Sequence, residues 1–161
     1  MGTVGRQILK LDTEALVEEL NRGIAAELSD AFRYLLLSKM VTGPRSQELG
    51  DMFSRMSASE WSHMGGLVER VIQLGGRPMV RPAMSEAYGY APYHEPPPDC
   101  SDVSRIIEET LPGERAAIQY WQALFERTQH DDPVTAALAS SALADEVRDE
   151  DNLERVMGGR R

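Results

Sequence analysis

The chain has 161 residues, a net charge of −9, one cysteine, 42% hydrophobic and 27% charged residues, totals that suit one globular domain with a core of its own. An acidic surface repels nucleic acid phosphates, a lone cysteine permits neither an internal disulfide nor a cysteine-based zinc site, and no apolar run has the length of a membrane span. Residues 1–11 lack the basic start and apolar block of a signal peptide, so a cytoplasmic protein is expected, with an acidity that favours cations as partners.

Asp12 and Thr13 offer N-caps for a first helix over 12–41, which Thr42-Gly43-Pro44 ends. A second helix is expected over 46–74, stopped by Gly75-Gly76 and Pro78. The stretch 75–101 reads as loop, since residues 77 to 99 hold six of the nine prolines. A third helix over 102–129 begins near Ser101 or Asp102. Its Pro112-Gly113 either kinks it or delays its regular part to Leu111. His130-Asp131-Asp132-Pro133 is a short break with proline at a helix start, and a fourth helix covers 133–157 before Gly158-Gly159. Short joins make antiparallel hairpins of helices one and two and of helices three and four. The long segment between them can cross the full length of a bundle. The expected fold is therefore all-α, a single four-helix bundle with one long crossover loop.

Steps of three and four trace a buried stripe on each helix. Helix one gives Leu20, Ile24, Glu27, Ala31 and Tyr34 or Leu35; helix two gives Leu49, Phe53, Met56, Glu60, His63, Leu67, Val71 and Leu74. Helix three gives Ile107, Leu111, Glu114, Ala117 or Ile118, Trp121 and Phe125; helix four gives Leu138, Ala142, Glu146, Asp149, Leu153 and Val156. Every stripe is interrupted near its middle by ionisable residues. A lone buried carboxylate costs several kcal/mol, and a metal cluster offsets that cost by pairing with the charge. The spacing repeats: Glu27 precedes Glu60 by 33 residues and Glu114 precedes Glu146 by 32. Glu60-Trp61-Ser62-His63 is answered by Glu146-Val147-Arg148-Asp149, each with a second candidate ligand one turn on. The competing reading is a polar network of these acids with Arg22, Arg33, Arg70 or Arg115. Tyr34 and Tyr120, each following the single Glu of its hairpin, are expected as core aromatics or as donors to a ligand carboxylate. His94, His130 and Cys100 are expected in loops or at helix ends. Asp145, Glu150 and Asp151 are expected on the outer face of helix four.

From Leu16 to Val156 the chain resembles the ferritin-like superfamily, and within it the bacterioferritins and the bacterioferritin-related, Dps-like branch. The segments that carry the likeness are Ala25-Ala26-Glu27-Leu28, Glu60-Trp61-Ser62-His63, Gly113-Glu114-Arg115-Ala116-Ala117-Ile118 and Asp145-Glu146-Val147-Arg148-Asp149. The resemblance implies a ferritin-like bundle, a homo-oligomeric cage and two irons per subunit. It implies oxidation of Fe(II) by dioxygen or hydrogen peroxide, with storage of the ferric product and removal of oxidant. Glu27, Glu60, His63, Glu114 and Glu146 match the family's ligand positions.

The sequence departs from the pattern at Asp149, where the family has His, and at Trp61, where bacterioferritins have a haem-binding Met, so no haem is expected. Ala116 stands where the Dps-like branch often has cysteine. Five carboxylates and one imidazole leave a pair of divalent ions with a net −1, which favours hard ions and Fe(III). Asp is one methylene shorter than Glu, so a firm metal position near His63 and a weaker one near Asp149 are expected. Two other functions fit the same residues: a di-iron oxygenase acting on a small organic substrate, or a non-catalytic descendant whose Asp149 marks a lost centre.

Overall fold

The computed structural model describes residues 2, 5 and 9–158. Its long elements are α1 (Thr13–Met40), α2 (Ser46–Gln73), α3 (Val103–Thr128) and α4 (Pro133–Gly158). The crossover carries a 3-10 turn, Pro82–Met84, that runs into a one-turn helix, Ser85–Tyr88. No helix among the described residues is long and apolar enough to cross a membrane.

Local chemistry sets the ends. The Asp12 side chain accepts from the backbone N–H groups of Glu14 and Ala15 and caps α1. Gly75, at φ 83, takes the left-handed position that ends α2. The N–H of Gly76 then returns to the Val71 carbonyl and that of Gly75 to the Ile72 carbonyl, closing the last turn. Asp102 caps α3 through the Arg105 N–H, and Asp132 caps α4 through the Thr135 N–H. The late start at Leu111 does not occur: α3 begins at Val103 and runs through Pro112. The carbonyl one turn back, on Glu108, loses its intrahelical donor, but Glu108 and Pro112 are both exposed, so water can replace the missing N–H.

α1 packs along α2, and α3 along α4. The apolar core is divided. One half joins Tyr34, Leu37, Phe53, Met56, Ile106, Ile107 and Leu153. The other joins Leu16, Leu20, Ile24, Leu67, Val71, Trp121 and Leu124. Tyr34, not Leu35, is the buried member of its pair, with Leu35 43% exposed. Cys100 is buried in the first half and donates its thiol to the Pro97 carbonyl. Between the halves lie Glu27, Glu60, His63, Glu114 and Glu146, every one buried.

Candidate metal centre

Each long helix sends at least one acid into this middle layer. The spacing of Glu60 and His63 puts both on one face of α2, one turn apart. Glu27, Glu60, His63 and Glu146 each offer a ligand atom, and these four atoms lie within 4.8 Å of one another. The His63 Nδ1 stands 3.1 Å from Glu146 Oε1, 3.2 Å from Glu60 Oε2 and 3.4 Å from Glu27 Oε2. One ring nitrogen carries at most one proton, and only Glu60 meets it at a hydrogen-bonding angle. Glu27 Oε2, Glu146 Oε1 and Glu114 Oε2 are left buried without a hydrogen-bond partner.

The other face of the imidazole is also held. Its Nε2 is 3.3 Å from Asp145 Oδ2 and 3.5 Å from the Ser59 hydroxyl. The tautomer protonated on Nε2 donates to Asp145 and turns the Nδ1 lone pair toward the three carboxylates, the arrangement a metal-binding histidine requires. Asp145, expected on the outer face of α4, is thus only part exposed and orients His63.

The electrostatics agree. Burial, then the charges of Glu146 and Glu27, hold the Glu60 carboxyl well above its usual range. Burial, then Glu146, does the same to Glu114, against the bond from Tyr34. Burial also raises Glu146, to about 7, although the nearby His63 ring opposes this. For His63, burial favours the neutral ring, but the carboxylates of Glu146 and Glu27 outweigh it and lift the pKa to about 10. Crowded acids of this kind hold protons unless a cation neutralises them.

No arginine supplies that cation among the described residues. Arg33 spends its donors on the His94 carbonyl, the Thr110 hydroxyl and the Glu109 carbonyl. Arg70 pairs with Asp132, Arg115 pairs at the surface with Glu150 and Glu154, and Arg22 is exposed. The oxygen-rich donor set with one imidazole fits a hard or borderline divalent ion such as Fe(II) or Mn(II).

The remaining candidate residues divide. Tyr34 donates its hydroxyl to Glu114 Oε1. Tyr120 does not reach a carboxylate of the layer and donates to the Glu19 carbonyl at 3.1 Å. Gly23 makes this possible, because a Cβ there would lie 2.3 Å from the Tyr120 hydroxyl. Tyr90, from the crossover, donates instead to Glu27 Oε1 at 2.9 Å and stacks on Tyr120, with ring centroids 4.4 Å apart. It is placed by Gly89, where a Cβ would come within 3.3 Å of the Ala26 backbone. Asp149 is 7% exposed but lies outside the four-residue group. Its Oδ1 accepts from Asn152 at 3.5 Å and is 3.8 Å from Arg148. Asp30 was not singled out by the sequence, although it stands one turn after Glu27 as His63 does after Glu60.

Residues 17–160 match the family model described as a ferritin-like domain. A "DNA protection during starvation protein" of Pyrococcus furiosus is 25% identical over 150 residues, covering 93% of this chain and 80% of that protein. Among solved structures, the dodecameric thioferritin of Bacteroides fragilis, a bacterioferritin-related protein, superposes with a TM-score of 0.89 at 23% identity over 93% of this chain and 88% of that one. Dps from Thermosynechococcus elongatus superposes with a TM-score of 0.82 at 18% identity over 96% of this chain and 95% of that one. With residues 17–160 matched by the family model, the chain belongs to the ferritin-like family, and it shares its fold with these neighbours.

Proposed function

We propose that this protein binds Fe(II) in the middle layer of its bundle, oxidises it with dioxygen or hydrogen peroxide, and stores the ferric product in a closed homo-oligomer. The observation that carries the reading is the convergence of Glu27, Glu60, His63 and Glu146 with partnerless oxygens. Fe(II) is the substrate. Two Fe(II) give one electron each to hydrogen peroxide, which takes two protons and leaves as two waters.

The residues have separate tasks in this account. Glu27, Glu60, His63 and Glu146 hold the first ion, and Glu114 serves a second. Asp145 fixes the imidazole, while Tyr90 and Tyr34 fix the carboxylates of Glu27 and Glu114. Binding expels the protons kept on the acids and on His63, so affinity rises with pH. The relation to Dps and thioferritin supports assembly. So do Phe32 and Trp61, 51% and 47% exposed, which line an apolar surface groove with Leu28, Pro82 and Tyr93 that a neighbouring copy would cover. With a net charge of −9, protection acts through iron and peroxide rather than by coating DNA.

Aerobic addition of excess Fe(II), followed by size-exclusion chromatography with iron analysis, tests this function. The expected result is a large assembly that co-elutes with many ferric ions per chain, and a His63→Ala variant that oxidises Fe(II) far more slowly. A small oligomer retaining a couple of irons per chain would contradict storage.

A further inference from the structure

We propose that metal occupancy and assembly are coupled through the crossover, with Tyr90 as the link between Glu27 and the groove that a second copy covers. This rests on the metal-binding and assembly readings above and adds a regulation of the same site.

The crossover is pinned to α1 at several points. Asn21 accepts from the Met79 N–H at 2.7 Å and donates to the Arg77 carbonyl at 3.0 Å. Tyr88 donates to Glu18, and Arg33 donates to the His94 carbonyl. Those pins end on residues outside the four-residue group. Tyr90 is different. Its hydroxyl donates to Glu27 Oε1 at 2.9 Å, while Glu27 Oε2 is buried with no hydrogen-bond partner. Glu27 therefore has one oxygen for the crossover and one for an ion. Without an ion its carboxylate is hydrogen-bonded on the crossover side alone. An ion on Oε2 fixes the carboxylate, and a fixed acceptor holds Tyr90 in turn.

The piece of chain that Tyr90 holds is compact. Gly89 lies against the Ala26 backbone, where a Cβ would come within 3.3 Å, and its N–H closes the one-turn helix Ser85–Tyr88 on the Ser85 carbonyl. That helix and the turn before it contribute Pro82, Ala83, Ser85 and Glu86 to the apolar surface groove, which α1 and α2 complete with Phe32 and Trp61. The groove thus depends on where the crossover sits. A copy seated in it favours the same crossover position that a metal ion favours.

Charge identifies the occupant. The chain carries −9, yet Glu86 is the single charged residue among those lining the groove. Two like-charged copies repel least where their faces carry least charge, and Phe32 and Trp61 lose their exposure there. Linkage makes the effect reciprocal: the factor by which metal strengthens assembly is the factor by which assembly strengthens metal binding. That factor is limited to what Tyr90 transmits, about 10-fold per chain.

Mass photometry over a dilution series, with and without saturating Co(II), tests the coupling. Co(II) is not oxidised under these conditions, and equilibrium dialysis measures its uptake separately. Wild type should need about 10-fold more dilution to dissociate when Co(II) is bound, and Tyr90→Phe should dissociate at the same concentration in both states. Phe32→Ser weakens the groove face on the outer side of α1, brings dissociation into a lower dilution range and should show the wild-type shift. Co(II) uptake without any shift in wild type and Phe32→Ser, or an equal shift in Tyr90→Phe, overturns the proposal while leaving metal binding intact. Absence of Co(II) from the wild type removes the metal-binding reading itself, and a wild type that is monomeric in both states removes the assembly reading. Should Tyr90→Phe fail to fold, hydrogen exchange of the wild type decides. Slower exchange over residues 84–90 on adding Co(II) supports the link, and unchanged exchange there contradicts it.

Discussion

Two places in this bundle bury charge, and they handle it differently. Near one end, Arg70 donates to both carboxylate oxygens of Asp132 at 2.8 Å, to the Thr135 hydroxyl oxygen at 2.8 Å and to Gln73 Oε1 at 3.0 Å. Asp132 is fully buried, and burial alone would raise its pKa. The bonds from Arg70 and Thr135 win, holding the carboxyl below its usual range. In the middle layer, Glu27, Glu60 and Glu146 crowd one histidine, three carboxylate oxygens have no partner, and Glu60, Glu114 and Glu146 are pushed up. The first network is complete with protein atoms. The second leaves three buried oxygens unpartnered, the difference expected between a structural ion pair and the proposed binding site.

Cutting the first network gives the largest effect. Arg70→Ala leaves Asp132 buried and unpaired, which costs about 3–5 kcal/mol. Thermal melting should fall by about 10 °C or more, equally with and without divalent metal. Removing a charge from the middle layer should do the reverse. Glu146→Gln is expected to leave the metal-free protein as stable as wild type or more so. It should abolish the rise in melting temperature that Co(II) produces, and His63→Ala should weaken the first ion by about 100-fold or more.

The pH dependence sharpens the contrast. Glu146 moves from 4.5 to about 7 on folding and Asp30 from 3.8 to about 8. The folded, metal-free protein therefore holds more protons than the unfolded chain across that window, and its stability falls as pH rises through it. Asp132 works in the opposite sense. Its depressed pKa gives stability that is present above 3.8 and lost as pH falls through the folded value. Melting curves from pH 4 to pH 9 should decline toward the alkaline side without metal, and the decline should vanish once metal replaces the protons.

The smallest effects belong to the tyrosines. Tyr90→Phe should weaken metal binding by about 10-fold, through Glu27. Tyr120→Phe loses a bond to the Glu19 carbonyl, worth about 1 kcal/mol of stability, and should leave metal affinity unchanged. Titrations of the two variants separate the roles.

The helices were legible because their ends carry chemical signals: Asp12, Gly75-Gly76, Asp102 and Pro133. Glutamates at matching heights of four apolar stripes pointed to the middle layer, since a 3.6-residue period assigns a face without any tertiary knowledge. What periodicity leaves out is the approach of neighbouring elements. Asp145 lies off the buried stripe of α4, and only the closeness of α2 brings it to His63. Tyr90 is in a loop, where no period exists. Tyr120 looked like the counterpart of Tyr34, but Gly23 opens α1 to its ring and diverts the hydroxyl to a carbonyl. A glycine inside a helix is costly enough to signal such an approach, and Gly23 was the clue available.

Anomalous diffraction at the iron edge from crystals soaked anaerobically in Fe(II) tests the central claim most directly. A strong peak is expected, enclosed by Glu27, Glu60, Glu146 and the Nδ1 of His63, with Nε2 still on Asp145. A middle layer without an iron peak, its carboxylates bridged by protons and His63 unchanged, would contradict it.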